Sequence, residues 1–280
     1  MPKPFEGHIG VIQRNAIRSW TLLSPRPQVI LLGDEAGTAE VADETGAIRV
    51  PEVGCNKFGT PLIDDIFRQA RCVATRPILA FLNADIILLG DFLAAVDQIV
   101  AAGHAKFLVI GRRNELDVNK PIDFHASDWQ LALRNKAERH GKLAPRVCKD
   151  YFVFPQSMYE DMPAFAVGRG NWDNWVVYEA HRMRVSVIDA TGSITAIHQN
   201  HSYAHLSDSR ARAYATGPEA RRNQELAGGR HLIRGSASEW KLTARGVQRK
   251  MFTSPLLQFV ADLPRFSLMM LELAGLRRRS

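Results

Sequence analysis

The sequence predicts an α/β protein. Over the first 205 residues, short aliphatic runs of strand length alternate with longer segments whose apolar residues recur at helical spacing. Several of the strand-like runs lead directly into polar residues, and residues 78–82 lead into Asn83 and Asp85. Because ligands of open α/β sheets bind at the carboxyl ends of the strands, this pattern predicts a binding site at that edge of the sheet.

The individual elements follow from the same two signals. Helices are predicted over residues 8–22, 91–102, 129–140, 171–181 and 240–251, and strands over residues 29–32, 48–53, 78–82, 107–110, 150–155 and 185–188. A further helix is predicted to begin at Pro61, with Thr60 as its N-cap and with Asp64 and Asp65 near the positive end of its dipole. Gly141 is expected to end the helix over residues 129–140.

Asp85 is the residue around which the predicted site is built. Residues 78–82 have the aliphatic content of a central strand buried on both faces, and such a strand has no reason to keep a carboxylate unless it ends there. Asn83 and Asp85 can both offer oxygen to a divalent cation, with water and phosphate in its remaining positions. The alternative interpretation is an ordinary turn, in which Asn and Asp are common.

Charge is distributed unevenly along the chain. The formal net charge is +7, yet residues 206–280 hold 14 Lys and Arg against 6 Asp and Glu, whereas residues 1–205 hold 22 against 23. The excess positive charge therefore predicts an anionic partner for the last quarter of the chain and does not indicate a basic catalytic domain.

The cysteines and the apolar segments bear on the compartment. Cys55, Cys72 and Cys148 lack metal-binding or redox spacing, which indicates reduced thiols. The first residues lack the basic and apolar regions of a signal peptide, and charged residues and Pro264 interrupt the most apolar late stretch. We therefore expect a cytoplasmic protein without a membrane-spanning segment.

Asn83-Ala84-Asp85 resembles the Asp-x-Asp motif of glycosyltransferases with the GT-A fold, which bind the diphosphate of a nucleotide-sugar through manganese or magnesium. The resemblance covers about residues 2–205 and extends to a bacterial and plant group within that class. Its other motifs are Gly33-Asp34-Glu35, Phe58-Gly59-Thr60-Pro61, Gly111-Arg112-Arg113, Trp172-Asp173-Asn174-Trp175 and His198-Gln199-Asn200-His201. The resemblance implies a Rossmann-related, mixed and mostly parallel sheet flanked by helices, with a catalytic domain over residues 1–205.

The resemblance also implies the donor and metal sites. Mn²⁺ or Mg²⁺ would bind Asp85 together with His198 and, as second choice, His201, since neutral imidazole is a good ligand for manganese. The side chains expected to contact the nucleotide-sugar are Asp34, Asn83, Asp85, Arg112 and Arg113. Judged from the residues alone, Asp34 could equally cap a helix, the arginines could be a solvated pair, and the histidines could bind acceptor or phosphate.

The acceptor side is expected around a second cluster. Two indoles, Trp172 and Trp175, can pack on sugar rings, and Asp173 between them can accept the proton of an attacking hydroxyl as general base. Asp150 is expected on the same side. The alternative is that Asp173 supplies N-terminal helix charge and that both indoles lie in the core.

The two ends of the chain complete the prediction. In the resembling enzymes a strand that forms part of the nucleotide pocket precedes the first helix. We expect either that this strand is lost here or that the start codon is placed too late. Residues 206–280 are expected to form a basic, mostly helical extension that ends in Arg277-Arg278-Arg279. Such a segment can lie on an anionic membrane surface, pack on the catalytic domain or form a homodimer, whereas no motif for nucleic acid is present.

The function implied by the resemblance is transfer of a sugar from a nucleotide-sugar to a glycan or lipid-linked acceptor, in polysaccharide or glycoconjugate synthesis. Two alternatives remain open at this point. One is a scaffold that binds nucleotide-sugar without turnover. The other is a sugar nucleotidyltransferase, although the Gly-rich loop followed by Lys that such an enzyme would carry is not in the sequence.

Overall fold

A computed structural model describes residues 1–145, 148–201, 216–228 and 238–250. Within these ranges the chain is α/β, as predicted. The described helices are α1 (Gly7–Thr21), α2 (Thr38–Thr45), α3 (Ile63–Val73), α4 (Asp91–Ala101), α5 (Trp129–His140), α6 (Trp172–Arg182) and α7 (Pro218–Leu226). The described strands are β1 (Ile30–Leu32), β2 (Ile48–Val50), β3 (Ile78–Leu82), β4 (Ile86–Leu88), β5 (Phe107–Ile110), β6 (Asn114–Leu116), β7 (Lys142–Leu143), β8 (Tyr151–Pro155), β9 (Ser186–Asp189), β10 (Ala196–Gln199), β11 (Trp240–Thr243) and β12 (Gly246–Arg249).

The largest sheet has six strands in the order β12-β11-β9-β5-β8-β3. Within it β9 runs parallel to β5 and to β11, and the other three pairings are antiparallel. A second sheet has the order β4-β10-β6-β7, and β1 pairs with β2 alone. The sheets are therefore mixed, and the expected predominance of parallel pairing is not found among the described strands.

Two hydrophobic clusters cover the opposite faces of the six-stranded sheet. Side chains alternate between faces along a strand, so Phe107 and Val109 of β5 join one cluster while Leu108 and Ile110 join the other. Apolar residues of α1 and α4 fill the first cluster, and those of α3 and α6 fill the second. The sheet is thus the middle layer between two layers of helices.

The strand that leads to Asp85 differs from its prediction. β3 has the predicted bounds, but it lies at the edge of the six-stranded sheet, where β8 is its one partner among the described strands, and its residues are half-buried or exposed. Its aliphatic composition does not reflect burial on both faces. Leu79 and Phe81 pack onto the cluster beneath α3 and α6, which accounts for their apolar character.

Two further element predictions need correction. The helix predicted to begin at Pro61 begins at Ile63, because residues 60–62 are extended and form β-bridges from Pro61 to Cys55 and from Leu62 to Ala166. Asp64 and Asp65 do lie in its first turn. The helix predicted over residues 240–251 is wrong, since β11 and β12 form an antiparallel hairpin there.

The described residues beyond position 205 pack on the sheet and helices that precede them. β11 pairs in parallel with β9, and Ala227, just after α7, belongs to the cluster beneath α3 and α6. The predicted terminal helices lie in residues 251–280, outside the described ranges, so the membrane-surface and homodimer interpretations stay predictions. Among the described helices, none has the length and apolarity needed to span a bilayer.

Candidate metal centre

The candidate site forms where the turn after β3 meets the end of β10. β4 begins directly after Asp85 and pairs antiparallel with β10, in a register that places Ile86 opposite His198. Continued by one position, this register places Asp85 opposite Gln199, the residue after His198, and the Gln199 N–H lies 3.3 Å from the Asp85 carbonyl. His201 follows two residues after the end of β10, so the pairing of β4 with β10 brings the turn that carries Asp85 beside the segment that carries both histidines.

The three side chains converge on one point. Asp85 Oδ2 lies 3.5 Å from His198 Nε2 and 3.3 Å from His201 Nε2. The two imidazole centroids are 5.5 Å apart, and one ligand atom from each residue lies within 4.8 Å of the others. The predicted meeting of Asp85 with the histidines is therefore observed, and it forms a group able to hold a metal ion.

The site is nearly closed to solvent. The exposed fractions of the side chains are 20% for Asp85, 7% for His198 and 3% for His201. Burial by itself would raise the pKa of the Asp85 carboxyl, but the hydrogen bonds and positive charge of the two imidazoles outweigh it and hold that pKa below its ordinary value.

The donor atoms fit a divalent cation. Asp85 Oδ1 is buried and has no hydrogen-bond partner among the described residues, a costly state that a bound cation would relieve. One carboxylate and two imidazoles are a ligand set for divalent first-row metals.

Asn83 forms hydrogen bonds with Asp150 through both its side chain and its backbone. Its side-chain amide donates a hydrogen bond to Asp150 Oδ1 at 2.6 Å, and its backbone N–H donates to the Asp150 carbonyl at 3.0 Å. Asn83 therefore ties the Asp85 turn to the residue before β8. Its predicted contact with metal or donor stays a prediction.

Asp150 is held inside an ion-pair network. Its carboxylate pairs with Arg113, whose guanidinium also lies 3.2 Å from Glu115 Oε1. Burial opposes the charge of Arg113, yet the neighbouring Asp150 outweighs it and raises the pKa of the guanidinium. The carboxylate of Asp150 is 8% exposed, so the structure gives it a structural partner and no open face toward an acceptor.

The other predicted donor contacts lie elsewhere. The Arg112 guanidinium donates to the carbonyl of Ala144 at 2.5 Å, which turns it toward β7. Asp34 follows β1, has an exposed side chain and pairs with Arg49. The structure brings neither residue to the Asp85 centre, and their contacts with a nucleotide-sugar stay predictions.

Asp173 lies in the first turn of α6, as predicted. The helix starts after Asn171, which adopts the left-handed conformation at φ 84°. Burial raises the pKa of the Asp173 carboxyl, and the ammonium of Lys149, 3.9 Å from Asp173 Oδ2, opposes that rise. A partly buried carboxyl with a raised pKa suits a general base better than an ordinary surface Asp does.

The predicted indole platform for an acceptor sugar is not open. Trp172 and Trp175 are 9% and 8% exposed and belong to the cluster beneath α6. Trp172 packs against Phe81 and Phe152, with ring centroids at 5.0 Å and 5.6 Å. The core alternative accounts for both indoles, because aromatic side chains on the inner face of α6 fill the space over the sheet.

Sequence reasoning missed two residues of this region. Lys149 is 1% exposed and bonds to Asn174 Oδ1 at 3.1 Å, which places a buried cation beside Asp173. Asn15 lies on the buried face of α1 and donates to Gln199 Oε1 at 3.0 Å. A polar residue three positions after Ile12 on the predicted apolar stripe was the available signal for Asn15; nothing in the sequence marked Lys149.

No protein-family model matches the chain, and no curated protein matches it significantly.

Proposed function

We propose that the chain is a metal-dependent glycosyltransferase that moves a sugar from a nucleotide-sugar to a glycan or lipid-linked acceptor. The observation that carries the proposal is the convergence of Asp85, His198 and His201 within 4.8 Å at the end of a strand. A divalent ion held there would stabilise the charge that develops on the departing nucleoside diphosphate.

The donor set favours Mn²⁺ over Mg²⁺. Two of the three ligands are imidazoles, which bind first-row transition metals better than they bind Mg²⁺, an ion that prefers oxygen ligands and retains its waters. Asp85 would supply negative charge to the metal, and His198 and His201 would each supply an imidazole nitrogen.

The rest of the chain would position the acceptor. Asp173 is the proposed general base because its carboxyl is partly exposed, lies at a helix start and has a raised pKa. Continuous contacts link it to the metal centre, since Lys149 contacts Asp173 while the adjacent Asp150 holds Asn83. The segment before β8 thus contacts both Asp173 and the turn that carries Asp85.

Metal binding and turnover test the proposal. Isothermal titration calorimetry with MnCl₂ should show binding by the wild-type chain and loss of binding in Asp85→Ala and His201→Ala. Asp97→Ala, an exposed acidic residue on α4, is the matched control and should bind as wild type does. Release of nucleoside diphosphate from a panel of nucleotide-sugars should require Mn²⁺ and disappear in Asp85→Ala. A wild-type chain that binds no Mn²⁺, or turnover that survives Asp85→Ala, contradicts the proposal.

A second candidate is a nucleotide-sugar-binding scaffold without turnover. It is favoured by the placement of the side chains expected to bind the acceptor, since Trp172 and Trp175 lie in the core and Asp150 pairs with Arg113. The same panel separates the candidates. Metal-dependent binding of a nucleotide-sugar without release of the diphosphate would favour the scaffold.

A further inference from the structure

Helix α1 completes the open edge of the strand that follows Asp85. Among the described strands β4 pairs with β10 alone, so no described strand bonds the backbone groups of its other edge. Trp20 Nε1 donates to the Ile86 carbonyl at 2.7 Å, and the Leu88 N–H donates to Ser19 Oγ at 3.1 Å. Buried side chains of a helix thus satisfy groups that a neighbouring strand would otherwise bond.

A buried pair of amides extends this contact to the metal centre. Asn15 Nδ2 donates to Gln199 Oε1 at 3.0 Å, and Gln199 Nε2 donates to the carbonyls of Ile12 at 2.6 Å and Asp85 at 3.2 Å. The Gln199 backbone N–H also lies 3.3 Å from the Asp85 carbonyl. Asn15 and Gln199 are 3% and 0% exposed, so these bonds form without competing water.

Both polar atoms of the Asn15 side-chain amide form hydrogen bonds. Its Nδ2 also donates to the Lys120 carbonyl at 3.1 Å, and its Oδ1 accepts from the Ile122 N–H at 3.0 Å. Asn15 is therefore locked by α1 on one side and by the loop after β6 on the other. It can hold Gln199 in one orientation only.

Gln199 lies next to the proposed ligands both in the chain and in space. It follows His198 directly in the chain and precedes His201 by two residues, while its side chain bonds the main chain of Asp85. We infer that Asn15 and Gln199 are positioning residues of the metal centre, which fix the Asp85 turn against the two histidines. This inference rests on the proposed function, since it requires the triad to bind a metal.

Mn²⁺ affinity measured by calorimetry tests the inference. Asn15→Ala and Gln199→Met should each weaken Mn²⁺ binding by about tenfold or more, the scale on which residues that orient metal ligands act. The double variant should weaken it no further than the stronger single variant, because both changes break one unit. If Gln199→Met does not fold, Gln199→Asn, which shortens the same amide, takes its place.

Asn223→Ala is the matched control. Asn223 is also a helical Asn, 0% exposed, but its amide bonds to Ala166 and lies outside the α1 contact. It should lose stability and keep wild-type Mn²⁺ affinity. Unchanged affinity in both Asn15→Ala and Gln199→Met overturns the inference and leaves the proposed function standing. Equal weakening in Asn223→Ala also overturns it, because the loss would then reflect general destabilisation. A wild-type chain that binds no Mn²⁺ overturns both.

Discussion

Replacement of Lys149 by Met tests whether a buried cation controls the charge of Asp173. The Lys149 side chain is 1% exposed, and its ammonium lies 3.9 Å from Asp173 Oδ2 and 3.1 Å from Asn174 Oδ1. Met nearly preserves the length of the side chain and its apolar stem. The variant therefore removes the charge while it disturbs the packing little.

The expected cost follows from burial and distance. Removing one partner of a fully buried ion pair costs about 3–5 kcal/mol, because the other charge is left without compensation. Asp173 keeps 24% of its side chain exposed, and 3.9 Å is a long ion pair. We therefore expect Lys149→Met to lose about 2 kcal/mol of unfolding free energy near neutral pH.

The loss should depend on pH in a defined direction. Burial raises the pKa of the folded Asp173 carboxyl, the nearby Asp150 carboxylate adds to that rise, and Lys149 opposes it. Without Lys149 the folded pKa moves further above the unfolded value of about 3.9. A group that binds its proton more tightly in the folded state contributes stability that is lost as the pH rises through its folded pKa. The deficit of the variant should therefore grow from acidic toward neutral pH.

Urea denaturation followed by tryptophan fluorescence, from about pH 5 to about pH 8, measures this deficit. In Lys149→Met/Asp173→Asn the carboxyl is absent, so the pH dependence introduced by the single variant should vanish. A Lys149→Met deficit of equal size at every pH would refute the reasoning. So would a pH dependence that survives in the double variant.

Two further predictions concern the packing around α6 and α7. Trp172→Ala should lower the unfolding free energy by about 3–5 kcal/mol in the absence of any sugar, because the indole fills the core against Phe81 and Phe152. Urea denaturation measures this loss, and a much smaller value would favour the sugar-platform interpretation. Asn223→Ala should lower the unfolding free energy by about 1–3 kcal/mol, because it leaves the buried Ala166 N–H and carbonyl without their hydrogen bonds to the Asn223 amide. A thermal midpoint equal to that of wild type would show that this link between α7 and the segment before α6 does not stabilise the fold.

The spacing of apolar residues predicted correctly those elements in which that spacing matches one periodicity, either the strand's or the helix's. β3, β5 and α5 have their predicted bounds, and α5 ends at His140 before Gly141. These segments have clear aliphatic runs or helical spacing bounded by polar residues and glycine. Short-range patterns suffice there because the backbone geometry itself sets the spacing of buried residues.

Predictions failed where the neighbours decide the outcome. Residues 240–249 carry apolar residues that fit a helix or a strand, and they form a hairpin because β11 adds to the open edge of β9. From the residues alone Trp172 and Trp175 favoured the core, the resemblance favoured a sugar platform, and the sheet beneath α6 buries both indoles. A side chain's own chemistry does not reveal which surface will cover it.

By itself, the amino-acid sequence determined the α/β class and the strand that ends near Asp85, whereas His198 and His201 were expected beside that carboxylate only through the resemblance. Only the tertiary structure decided that Asp85 meets His198 and His201, through the pairing of β4 with β10, and that Asn15 of α1 bonds to Gln199, whose amide bonds to the Asp85 carbonyl. The physical reason is the separation along the chain over which each kind of interaction acts. Periodicity and caps act over a few neighbouring residues, whereas strand register and buried hydrogen bonds join groups that are distant in the chain and become definite only when the layers pack.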